Sequence, residues 1–147
     1  MLRVLGAFLL LGCAPAALLG QSGEGDHEAL RQAALLIVSD WDDGELSHLS
    51  HLLVPEGVRM DLGGGERGAL SPRQVMAALR DFRDGLTSRS ATLARWAEVG
   101  GTPSRGFAEV AWEAVGPGGS HAVTHRLYFG LLEQGAEWRV SEIRLLR

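Results

Sequence analysis

Four side chains in this sequence are the candidates for acid–base work: Asp61, Glu109, His125 and Tyr128. General acid–base chemistry needs a carboxylate or imidazole of tuned pKa, faced by a donor such as a phenol, in a water-poor pocket. An isomerase, dehydratase or cyclase could be built from these residue types. Their spacing does not assemble one. His125 and Tyr128 are an odd number of residues apart, so a regular strand sends them to opposite faces. Glu109 and Glu113 fall on one strand face with Val110 and Trp112 on the other, the pattern of a solvated face behind a packed one. We assign no catalytic set.

Metal and cofactor chemistry fares no better. His48 and His51 stand at i, i+3 on a short helix, but a zinc site needs a third ligand, and a His-Glu-x-x-His pattern is absent. His121 and His125 share a strand face but are roughly 13 Å apart along it. Asp40-Trp41-Asp42-Asp43 lacks the alternating ligand spacing of a calcium loop. Gly63-Gly64-Gly65 lacks the lysine and the strand–loop–helix setting of a phosphate loop. The fourteen basic residues are all arginine, which excludes a lysine nucleophile. Neither metal nor cofactor is expected.

The four tryptophans, Trp41, Trp96, Trp112 and Trp138, most simply build a core. If a pocket is open, Trp41, Trp96 and Trp112 would line it beside Asp61, Glu109, His125 and Tyr128. Such a lining favours a flat, apolar ligand.

The elements that must position these residues are legible. Leu30, Ala33, Ala34, Ile37, Val38 and Trp41 recur at helical spacing, with Asp26 as the N-cap and Asp42-Asp43-Gly44 as the stop. Leu46, Leu49, Leu52 and Leu53 predict a second, shorter helix before Pro55. Val58 to Leu62 alternates as a short strand or the start of a strand pair. Ser71-Pro72 opens a third helix running to about Gly85. Four strands follow: Thr87 to Val99, Phe107 to Val115, His121 to Leu132 and Trp138 to Leu146. Gly116-Pro117-Gly118-Gly119 and Gln134-Gly135 join the later ones as tight turns, which makes an antiparallel meander. Helices first and a meander last is an α+β order, with the helices on one face of a curved sheet.

The N-terminus reads as an address. Arg3, an apolar run from Val4 to Leu11 and the Ala14-Pro15-Ala16 triplet fit a bacterial export signal. Residues 1–20 are therefore assigned to the signal and 21–147 to one domain, periplasmic or secreted. Leu10-Leu11-Gly12-Cys13 also resembles a lipobox, in which case Cys13 would carry lipid and anchor the protein to a membrane. Cys13 is the only cysteine, so the remaining domain has no disulfide and no thiol chemistry. The net charge of −4 argues against nucleic acid.

Ser71-Pro72-Arg73-Gln74-Val75 running to Leu79-Arg80-Asp81-Phe82 carries a resemblance. So do Arg126-Leu127-Tyr128-Phe129-Gly130 and Glu137-Trp138-Arg139-Val140 through Ile143. Over residues 27–147 the chain resembles the nuclear transport factor two-like superfamily of cone-shaped domains. Within it, the chain looks most like the exported bacterial domain of unknown function 4783. The resemblance implies a sheet wrapped around a pocket closed by helices, in enzymes, binders or dimerising modules. It supplies no catalytic residue that aligns with this chain. Apolar residues on both faces of Leu127–Leu132 add a surface on which a homodimer could form.

The expectation is thus an exported, non-catalytic module that binds a small apolar ligand or pairs with itself. An isomerase, dehydratase or cyclase and a lipoprotein accessory subunit of the envelope are the alternatives.

Overall fold

The computed structural model of the chain describes residues 22–147. The expected export segment and Cys13 lie outside the described residues.

Helix α1 spans Ser22–Asp43. Its stripe of Leu30, Ala33, Ala34, Ile37 and Trp41 is buried, as the spacing requires. The helix begins four residues before Asp26, so Asp26 lies within it and not at its N-cap position. Gly44, at φ 81, ends the helix in the left-handed conformation that glycine adopts without a Cβ clash.

Helix α2 spans Ser47–Leu52. Leu46 precedes it as the N-cap, at φ 54 and ψ 25, instead of forming its first turn. Leucine takes that conformation at a cost, and its 1% exposure shows that burial holds it there. A leucine cannot accept the free N–H groups of the helix start. Asp40 of α1 does so from outside: it is 2% exposed, accepts from Leu49 N at 2.6 Å and meets His48 Nδ1 at 2.6 Å.

Strands β1 (Val58–Asp61) and β2 (Arg67–Leu70) form a hairpin that leads into α3 (Pro72–Arg83). Helix α3 opens with a reciprocal capping box. Ser71 Oγ accepts from Gln74 N, and Ser71 N donates to Gln74 Oε1 at 2.9 Å. Strands β3 (Thr87–Gly100), β4 (Arg105–Val115), β5 (Ala122–Gln134) and β6 (Glu137–Leu146) complete the described chain.

The strands form one open sheet in the order β2-β1-β6-β5-β4-β3. The last four are the expected meander. The β1–β6 contact is parallel, pairing Met60 with Ile143, and joins the early hairpin to the end of the chain. Three register shifts in β3–β4 and one in β5–β6 bend the sheet around the helices. Among the described residues, no helix is long and apolar enough to cross a membrane.

Large aromatic side chains occupy the centre of the space between the helices and the sheet. Trp41, Trp112 and Phe129 are fully buried. Trp41 meets Trp112 at 5.7 Å and Phe129 at 5.9 Å, both edge-on, the arrangement favoured by ring quadrupoles. Arg83, in the last turn of α3, lies over Trp41 and Trp112 at 5.1 and 4.8 Å and donates to the Trp41 carbonyl. One guanidinium therefore ties the ends of α1 and α3 to the sheet. Burial pulls its pKa below the usual arginine value, and the neighbouring Asp42 opposes that pull.

Candidate functional site

The sheet has a face covered by helices and a face that the helices leave open. The register assigns each candidate to one of them. On β5, His125, Leu127, Phe129 and Leu131 point to the helices, whereas Tyr128 points away. On β4, Trp112 and Val110 point inward and Glu109 outward, directly opposite Tyr128. On β1, Asp61 alternates with the buried Met60 and also points outward.

The four acid–base candidates therefore do not form a site. His125 is on the helix face, 5.9 Å from the Phe82 ring and 5.3 Å from the Trp112 ring. Glu109, only 8% exposed, is held by Arg95 at 2.6 Å. Tyr128 stacks on Phe107 at 5.8 Å under the guanidinium of Arg144, 4.6 Å from its ring. Asp61 accepts from Gly63 N at 2.9 Å and so fixes its own turn. Glu109 and Tyr128 are neighbours in register, but each is engaged elsewhere.

Trp41, Trp96 and Trp112 are likewise not pocket walls. Trp41 and Trp112 are sealed inside the core. Trp112 Nε1 donates to Ser88 Oγ at 3.0 Å, and Trp41 Nε1 is buried with no partner. Trp96 is half-buried on the helix-facing side of β3, where it packs against the core. A filled interior is the reason: a Trp that seals a core has no face left for a ligand.

Two clefts stand out among the described residues, and none of the seven candidates lines either one. The first, of about 570 Å³, lies between α3 and the β1–β2 hairpin. Met60, Leu62, Leu70, Ala78 and Phe82 give it apolar walls, and Arg67, Gln74 and Asp81 bring polar groups to it. The second, of about 550 Å³, lies between α1, α2 and the β5–β6 turn, and includes Leu36, Leu52 and Trp138. There Arg139 donates to Glu137 and to the His51 carbonyl at 3.1 Å, so its charges satisfy each other. In the first cleft neither Arg67 nor Asp81 makes an ion pair among the described residues. Polar groups left unmatched beside apolar walls are what orient a bound molecule.

Sequence reasoning missed this cleft because its walls come from a four-residue edge strand and the solvent side of α3. One signal was available. Gln74, Ala77, Ala78 and Asp81 recur at helical spacing with small residues between polar ones, which leaves a trough along α3. Among the described residues, no cluster of three or more His, Cys, Asp or Glu side chains could hold a metal.

No family model matches the sequence, and no curated protein matches it. Solved structures do match the fold. A domain of unknown function 4783 protein from Bacteroides ovatus superposes with a TM-score of 0.61 at 13% identity, covering 74% of this chain and 89% of its own. A domain of unknown function with a cystatin-like fold from Nostoc punctiforme gives 0.62 at 11% identity, covering 86% and 79%. A putative scytalone dehydratase from Novosphingobium aromaticivorans gives 0.61 at 10% identity, covering 82% of each chain. At such identities the likeness is one of fold. It agrees with the cone-shaped α+β architecture and with the resemblance read from the sequence.

Proposed function

We propose that the protein is a non-catalytic module that binds a small apolar molecule in the cleft between α3 and the β1–β2 hairpin. The observation that carries this reading is the open cleft of about 570 Å³ beside a core in which Trp41, Trp112 and Phe129 are fully buried. That volume suits a ligand of ordinary cofactor or metabolite size. Ala78, on the cleft wall, offers a direct test. Filling the cleft with Ala78→Trp should abolish calorimetric binding of decanol while leaving the free energy of urea unfolding within about 1 kcal/mol of the parent. Unchanged decanol binding in that variant would remove the reading.

The isomerase, dehydratase or cyclase alternative draws no support from Asp61, Glu109, His125 and Tyr128, which do not converge. Export remains part of the proposal, with residues 1–20 as the address. Intact mass of the secreted protein separates a cut after Ala16 or Gly20 from a lipid-bearing Cys13.

A second reading rests on the open sheet face. Phe107 and Tyr128 stack there half-buried, with Arg95 and Arg144 over their rings. A second copy laid on this face would cover them. Sedimentation of the parent and of Phe107→Glu should show a dimer for the former only, and a monomeric parent at high concentration would rule this reading out.

A further inference from the structure

We propose that the α3–β1–β2 cleft is selective for an amphipathic carboxylic acid, with Arg67 as the group that holds its carboxylate. The inference rests on reading this cleft as the binding site.

The placement of Arg67 comes from a bulge. In the β1–β2 hairpin Val58 pairs with Leu70 and Met60 with Arg67, so a two-residue step on β1 meets a three-residue step on β2. In an unbroken ladder Arg67 and Leu70, three apart, would face opposite sides. The extra residue turns Arg67 back to the face of Met60 and Leu70, and so into the cleft. Ala69 carries the bulge at φ 53, a conformation that alanine adopts only at a cost. Gly57 is fitted against it: a Cβ there would stand 2.9 Å from the Ala69 Cα. A strained, closely packed device thus aims one cation at a trough walled on part of its length by apolar side chains.

The other polar groups narrow the class of ligand. Arg67 has no hydrogen-bond or ion-pair partner among the described residues, whereas Arg59, Arg95 and Arg144 on the opposite face all pair with glutamates. Gln74 has its Oε1 committed to Ser71, which leaves its amide N–H groups as donors. A guanidinium fork and an amide donor suit a carboxylate. Asp81 lies seven residues further along α3, roughly 10 Å at helical rise. Its carboxylate repels an acid placed at that end and accepts from a hydroxyl or amine, so it sets the direction in which the ligand lies.

Calorimetric titration with decanoate, decanol and decylamine below their aggregation concentrations tests this. Decanoate should bind about tenfold more tightly than decanol, and decylamine no better than decanol. Arg67→Met keeps the stem and removes the charge. It should bring decanoate down to the level of decanol, while Arg67→Lys keeps part of the preference. Equal binding of decanoate and decanol by the parent, a preference that survives Arg67→Met, or tighter binding of decylamine would overturn the inference and leave the cleft reading intact. Absence of binding by all three would overturn both.

Discussion

Two tryptophans in contact stand on different footings. Trp112 Nε1 has Ser88 Oγ as its acceptor, and Trp41 Nε1 is buried without one. Each Trp→Phe change leaves a similar cavity, but only Trp112→Phe also gives up a hydrogen bond. Trp112→Phe should therefore cost about 1 kcal/mol more than Trp41→Phe in urea unfolding. Ser88→Ala should cost about 1 to 2 kcal/mol, because it leaves the Trp112 donor unpaired. At Asp40, buried between α1 and α2, Asp40→Ala removes the acceptor for Leu49 N and the partner of His48. A loss of about 2 to 3 kcal/mol is expected, since a charge-assisted bond is among the stronger ones. Equal stability of that variant and the parent would show that α2 needs no borrowed cap.

Among the elements, the β1–β2 hairpin is the one most constrained by backbone conformation. Ala69→Gly relieves the left-handed alanine, and the gain is partly offset by the greater freedom of glycine in the unfolded chain. A net stabilisation of a few tenths to about 1 kcal/mol should appear as a raised urea midpoint. Gly57→Ala works the other way. Its Cβ would enter the Ala69 backbone at 2.9 Å, and φ at Gly57 is 122, so a loss of at least about 2 kcal/mol is expected. The contrast tests whether the bulge is built as described, because both positions act on the same backbone contact. On β4, Gly106 lies against Leu30 of α1. A Cβ there would stand 2.7 Å from Leu30 Cδ2, so Gly106→Ala should cost about 1 to 3 kcal/mol in the same assay.

For the whole molecule, the filled interior moves any binding function to the margin of the fold. In a shell of helices on a bent sheet, the volume left at the axis depends on side-chain size. Here three large aromatic rings occupy it. The open volume instead lies where the short β1–β2 hairpin and α3 leave a gap at one end of the sheet. The opposite face of the sheet carries paired charges and a stacked aromatic pair.

The element order, the start of α3 at Ser71-Pro72, the meander and the stripe of α1 were all legible from the sequence. Each depends on residues near one another in the chain, where period and turn chemistry decide the outcome. Along β4, strand parity alone likewise sends Glu109 and Trp112 to opposite faces. Three features were decided only by tertiary structure. The parallel β1–β6 pairing joins segments about eighty residues apart, and no local pattern encodes it. The cap for α2 comes from Asp40 because Leu46 is buried ahead of the helix, a demand set by packing. The acid–base candidates were chosen by residue type, and type does not say which face of a sheet a helix will cover. Once α1 to α3 cover one face, Asp61, Glu109 and Tyr128 are left on the other and His125 alone remains inside. Arg67, which residue type and strand parity left unremarked, is turned into the cleft by a single bulge.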